Sequence, residues 1–253
     1  MKFKKIFSSQ KSYIKWRLEK IKRIEKRFPE IFRVENKKIL DIGCGDYASL
    51  SCYLSGFKNA QVYAGDINPS SVANAKKITK RVNFSVFPAE ALPFKDNFFD
   101  FVFILDVLEH VNNPLLALKE AKRVVKKNGF IFIEFSPYYA YPTGHHLYPL
   151  GFPLGLLPFQ FIPINLTEKI VVNAKFDIKN LGNYLFKQFK SLNKITIKKF
   201  KLISKKVGLK LIKEEYLLVL PNKEININFI AHFPILKELM TFGYSGFFTK
   251  NPS

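Results

Sequence analysis

The stretch KILDIGCGDYA, residues 38–48, decides the fold. KILDIG (38–43) reads as a buried strand, and it runs into Gly43 and Gly45, where a backbone without Cβ turns tightly and lets a ligand approach. The chain beyond Ala48 alternates in the same way. AQVYAGDI (60–67) is a second strand, and PSSVANAKKITK (69–80) is a helix with Asn68 as N-cap and Pro69 at its first position. RVNFSVF (81–87) and FDFVFILDV (99–107) are further strands. NPLLALKEAKRVVKKNG (113–129) reads as a helix capped by Asn113, opened by Pro114 and stopped by Gly129. FIFIEFS (130–136) is a strand apolar at nearly every position, as expected when both faces are covered. Strands and helices at this spacing predict βαβ units and a parallel sheet.

Ligands in such sheets bind outside the carboxyl ends of the strands. Asp66 ends the second strand, where an acid can accept both hydroxyls of a ribose. A glycine turn and a strand-end acid together predict a nucleoside-containing ligand. Gly43 to Ala48 also satisfies the G-x-G-x-x-A form of a dinucleotide fingerprint, which keeps a dehydrogenase open. No tyrosine has a lysine four residues later, so the short-chain class of dehydrogenase is disfavoured.

At 253 residues, 47% of them hydrophobic, the chain is long enough for one domain with an elaboration. It has no apolar run of spanning length, and its basic start lacks the apolar segment of a signal peptide. Cys44 and Cys52 signal neither a disulfide framework nor a zinc site, and no metal is expected from the spacing. A cytoplasmic location is the expectation. The net charge of +21 is concentrated in two places. Residues 1–37 carry thirteen Lys/Arg against four Glu, and residues 186–213 carry ten Lys and no acid. Such segments meet phosphates, anionic lipid or acidic substrates, or are solvated faces. In the first, Ile14, Leu18, Ile21 and Phe28 share one helical face, so residues 1–37 are expected to form a basic helical cap over the ligand site or against a membrane surface.

Three stretches in order resemble the class I S-adenosylmethionine-dependent methyltransferases, in particular the methyltransferase type 11 group: ILDIGCGDYASL (39–50), YAGDINPSSVANAKK (63–77) and residues 87–137 with their LPF, FD, LEHV and RV elements. The resemblance implies a Rossmann-like, seven-stranded, mostly parallel sheet whose last strand, near GYSGFFTK (243–250), is antiparallel. The methyltransferase domain would span 38–253, with an irregular insertion at 136–194. It implies S-adenosyl-L-methionine as cofactor. Asp41, Gly43 and Gly45 would lie against its amino acid part, Asp66 on the ribose, Ile67 on the adenine face, and Ala89 and Glu90 at the adenine edge. Leu105 and Asp106 would face the methyl-bearing region, with Glu109 and His110 next along the chain. Pro88 stands where many relatives carry Asp, so the contact to the exocyclic amine must come from elsewhere.

The segment SPYYAYPTGHHLYPLGFPLGLLPFQFIP (136–163) cannot be a regular helix or strand, because its prolines remove donors and fix φ. Leaving the fifth strand at the ligand edge, it is expected to be an acceptor-binding lid. His145 and His146 would supply a base near neutral pH, and Tyr138, with Tyr139 and Tyr141, would wall the acceptor. The expected activity is methyl transfer to a small-molecule or glycan-type acceptor. Alternatives are an RNA or protein methyltransferase using the basic segments, and a non-catalytic binding module of the same fold.

Overall fold

The computed structural model describes residues 10–141, 144, 146–147, 157–174, 181–220 and 223–250. Helix α1 (Gln10–Arg27) leads into β1 (Lys38–Ile42), α2 (Ser49–Leu54), β2 (Gln61–Asp66), α3 (Pro69–Ile78), β3 (Val82–Val86) and β4 (Phe99–Leu105). Then come α4 (Pro114–Val124), β5 (Val125–Phe135), α5 (Ile164–Val172), α6 (Leu181–Ser191), α7 (Ile197–Val207), β6 (Leu209–Leu220), β7 (Lys223–Asn226), α8 (Pro234–Met240) and β8 (Gly243–Lys250). The sheet runs β3-β2-β1-β4-β5-β8-β6-β7. β3 to β5 pair in parallel, and β8 runs antiparallel between β5 and β6.

The strand order reverses between β1 and β4, which leaves a crevice at their carboxyl ends. Strand alternation sorts the core onto two faces. Ile39, Phe101, Phe103 and Phe132 meet Ile21 and Ile24 of α1, Phe28 just after it, and Leu50 and Leu54 of α2. Leu40, Val102, Ile131 and Ile133 meet Ala117, Leu118 and Ala121 of α4 and Phe200 of α7. Of the apolar face read in this segment, Ile21 and Phe28 are buried against the sheet and Leu18 packs partly buried beside them, while Ile14 is half-exposed. Tyr138, Leu147, Phe159 and Val171 form a third, smaller core with Leu185, Phe186, Phe189 and Leu192 under the segment after β5.

Two expectations are corrected. The sheet has eight strands rather than seven, because β6 is long and its Leu217–Leu220 end would be an open edge. The chain turns back and β7 pairs antiparallel with that end. Helix α4 stops at Val124, not Gly129. Val125 is already extended and pairs with Phe99. Gly129 serves close strand approach instead: a Cβ there would lie 2.8 Å from the Asp100 carbonyl oxygen. Among the described residues of 136–163 the regular structure is a single short turn at Phe159–Phe161, as the prolines predict.

Candidate functional site

The glycine loop after β1 is built for approach. Gly43 and Gly45 have φ of 76° and 64°, in the left-handed region that a side chain rarely adopts. A Cβ on Gly43 would strike Val107, whereas one on Gly45 would meet nothing within 4 Å among the described residues. That open space belongs to a cavity of about 320 Å³ at the strand ends, within the range of small-molecule sites. Asp66 enters it from β2 and is oriented by two backbone donors: Gly45 N–H to Oδ2 at 3.1 Å and Asn68 N–H to Oδ1 at 2.9 Å. Each oxygen keeps a lone pair for a further donor. Ile67, 64% exposed, offers an apolar surface at the mouth. Ala89 and Glu90 form the opposite edge, and Glu90 Oε1 also accepts from the Asn113 N–H at 3.1 Å.

Leu105 and Asp106 line the far end of the cavity. Asp106 is spoken for: Arg17 Nη1 donates to Oδ2 at 2.5 Å, and Lys20 Nζ donates to Oδ1 at 2.7 Å. Burial opposes its charge, but Lys20 and Arg17 outweigh burial and hold the carboxyl well below the usual range. Lys20 also reaches Glu134 Oε1 at 2.9 Å. Glu134 accepts from Ser245 Oγ at 2.6 Å and pairs with Arg27 at 3.3 Å. A buried charge network therefore latches α1 across the sheet and brings Tyr13 and Arg17 to the cavity wall. The Tyr13 ring lies 5.4 Å from that of Tyr47 in the glycine loop. No local pattern marks Tyr13, Arg17 or Tyr47 as site residues, although the expected N-terminal cap contains two of them.

Other expected residues lie elsewhere. Asp41 is buried beneath the loop, outside the cavity lining, and accepts from Ser51 Oγ. Burial raises its carboxyl to about 6, against the lowering bond from Ser51. Tyr138 is buried in the third core, stacked on Phe189 with centroids 6.5 Å apart, and is not among the residues lining the cavity. The proline-rich segment closes on its own core here, so the ring that the sequence offers as an acceptor wall packs inward. His145 lies outside the described residues. His146 reaches the turn after β4, its ring 5.1 Å from that of His110, which lines the cavity. Burial holds His110 below its ordinary value despite Asp106. Asn193 braces this turn by donating from Nδ2 to the Leu108 and Val111 carbonyls at 2.7 and 2.8 Å. Nothing local in the sequence signals that role.

A methyltransferase domain model matches residues 40–133. The chain spans about half the length of the curated relatives it matches: the ubiquinone/menaquinone biosynthesis C-methyltransferase UbiE of Coxiella burnetii is 35% identical over 136 residues, covering 50% of this chain and 51% of the relative. The crystal structure of the PH0226 protein from Pyrococcus horikoshii OT3 matches with a TM-score of 0.57 at 18% identity, over 98% of this chain and 95% of that one. The [4+2]-cyclase SpnF matches with a TM-score of 0.56 at 15% identity, over 91% of this chain and 81% of that one, so the fold by itself does not fix the reaction. The residues present fit S-adenosylmethionine: a Cβ-free opening at Gly45, an oriented acid with free lone pairs at Asp66, and an uncovered apolar side chain at Ile67. Glycine loop, strand-end acid and strand order agree with these matches: residues 40–133 match a methyltransferase domain and carry its Rossmann-like fold.

Proposed function

We propose that the chain transfers the methyl group of S-adenosylmethionine to a small-molecule or glycan-type acceptor entering beneath the segment after β5. The observation that carries this reading is one cavity joining Asp66 and the glycine loop to Asp106 and His110. The cofactor, when bound, supplies an activated methyl group whose departure leaves a neutral thioether. The chain's own residues do the rest. Asp66 accepts the ribose hydroxyls, Ile67 covers an adenine face, and Tyr13 and Tyr47 narrow the entrance and exclude water. Catalysis rests on holding the acceptor atom about 3–3.5 Å from its target. His110, neutral at physiological pH because of its burial, is placed to take a proton from a hydroxyl or amine acceptor. Such a base contributes about 10²–10⁴-fold.

A second observation favours an acceptor with an apolar tail. Tyr141, Pro158, Phe161, Leu218, Leu239, Met240 and Phe242 line an almost wholly apolar groove of about 390 Å³. UbiE, the relative, is named for ubiquinone and menaquinone biosynthesis, which supports a lipid-like acceptor as the alternative. Among the described residues no helix is long and apolar enough to cross a membrane.

Calorimetric titration with S-adenosylmethionine, S-adenosylhomocysteine and NAD, alongside Asp66→Ala, tests the reading. Binding of both adenosyl ligands, lost in the variant and absent for NAD, is expected. A folded protein that binds neither adenosyl ligand would sink it. An acceptor screen comparing sugars with tailed quinols then separates the two acceptor classes.

A further inference from the structure

The turn carrying Glu109 and His110 is rigidly held, yet one of its polar atoms is unmatched. Glu109 is 3% exposed, and its Oε1 accepts from the Ser136 N–H at 3.2 Å. Asn193 fixes the turn itself, its backbone N–H donating to the Glu109 carbonyl at 3.0 Å. Among the described residues the other carboxyl oxygen, Oε2, is buried without a hydrogen-bond partner. Leaving such an atom unsatisfied is costly, so its retention calls for a ligand. The nearby cations are committed: Arg17 to Asp106, and Lys20 to Asp106 and Glu134. Two imidazoles also lie beside Glu109. His146 Nε2 lies 4.0 Å from Glu109 Oε1, and one ligand atom from each of Glu109, His110 and His146 lies within 4.8 Å of the other two. Sequence spacing hides this, because His146 comes from the segment after β5 and meets the turn after β4 only in the fold.

We propose that Glu109, His110 and His146 bind one divalent first-row transition cation at the acceptor end of the cavity. Imidazole nitrogen and carboxylate oxygen ligate such ions at about 2.0–2.2 Å, so the three atoms would draw together to roughly 3–3.5 Å by side-chain rotation. Two nitrogens and one oxygen suit zinc, iron(II) or manganese better than calcium or magnesium, which take oxygen ligands. The Glu109 carboxylate brings the cation one oxygen, and its Oε2 has no hydrogen bond to give up among the described residues. Three protein ligands leave coordination positions open, as catalytic sites do. His110 lines the cavity, so a cation bound to it would sit at the cavity wall, within reach of an acceptor oxygen. A dication there orients a hydroxyl and lowers its pKa, so that the proton passes to solvent water and His110 serves as a ligand in place of the base. This role at the acceptor rests on the methyl-transfer reading; binding of the cation does not.

The test reads binding, not turnover. Full-length, tag-free, chelator-treated protein is titrated calorimetrically with Zn²⁺, and with Co²⁺ followed by its visible d–d absorption. One equivalent is expected to bind, with nitrogen-ligand absorption for Co²⁺. Glu109→Gln and His146→Asn should each weaken binding by about tenfold or more. Because Glu109 sits in a buried turn, thermal melts of both metal-free variants accompany the titrations; His146→Asn lies outside the helices and strands and keeps the test decisive. No binding by the wild type, or undiminished binding by a folded His146→Asn, overturns the proposal. Cation binding by a protein that fails to bind S-adenosylmethionine would sustain the site while removing the methyl-transfer reading.

Discussion

Replacing Lys20 with Met removes the charge that joins α1 to the sheet while keeping a side chain of similar length. Lys20 is 12% exposed at its side chain and its Nζ meets Asp106 Oδ1 and Oδ2 at 2.7 and 2.8 Å and Glu134 Oε1 at 2.9 Å. Loss of one partner from a buried ion pair costs about 3–5 kcal/mol, because the other charge stays buried. Here Asp106 keeps Arg17 and Glu134 keeps Arg27 at 3.3 Å, so the lower end, about 3 kcal/mol, is expected. For a chain of this size that is a fall in Tm of roughly 6–12 °C. The pH dependence identifies the cause. Asp106 and Glu134 are both held below their ordinary values, against the opposing effect of burial, chiefly by Lys20 with Arg17 and Arg27. Groups with depressed folded-state pKa values stabilise the fold above the ordinary carboxylate range and lose that contribution as pH falls through it and below. Lys20 is itself held above its ordinary value by the two carboxylates in spite of burial, so its contribution is lost only in strong alkali. The deficit of Lys20→Met should therefore be full near neutrality and shrink below about pH 4. Urea unfolding at several pH values measures it. A deficit under about 1 kcal/mol at neutral pH, or one as large in acid as at neutrality, would refute the electrostatic account of the latch.

Asp41→Asn should show the opposite trend. Burial raises the Asp41 carboxyl to about 6, so the folded state holds the proton more tightly and stability declines as pH rises from about 4 to 6. The variant should gain on the wild type by roughly 3 kcal/mol across that interval in denaturant titrations, and a flat difference would show that Asp41 stays ionised. Gly65→Ala would place a Cβ 2.4 Å from the Ser85 carbonyl oxygen and 2.3 Å from the Phe87 ring, forcing β2 from β3. A loss of about 1–3 kcal/mol is expected by chemical denaturation, and unchanged stability would mean that the strands separate freely. Phe200→Ala empties a fully buried position ringed by Phe135, Tyr244 and Phe248 at 5.1, 5.3 and 5.7 Å. Calorimetric melting should register about 3–5 kcal/mol, and less than 1 kcal/mol would show that the core collapses around the site.

The parallel half of the sheet is legible from residues 38 to 136 because its signals are local. Apolar runs, Asn–Pro helix starts and strand-end glycines act within a few residues, and β1 to β5 form where those signals lie. Gly43, Gly45, Asp66 and Ile67 are legible for the same reason, since strand ends share one edge of a parallel sheet. Where two local signals compete, the tertiary contact decides. Lys126, Lys127 and Gly129 suit a helix end, yet pairing of Val125 with Phe99 draws them into β5. Glu134 reads as a single acid in an apolar strand, and its reason is an amine and a guanidinium from α1, more than a hundred residues earlier. Tyr138 reads as a site residue from its neighbours, but the smaller core claims its ring. Composition and periodicity determine which segments fold and which sheet edge carries the glycine loop and Asp66. The clamping of Asp106, the bracing by Asn193 and the meeting of Glu109, His110 and His146 depend on contacts between elements distant along the chain, whose geometry no local pattern encodes.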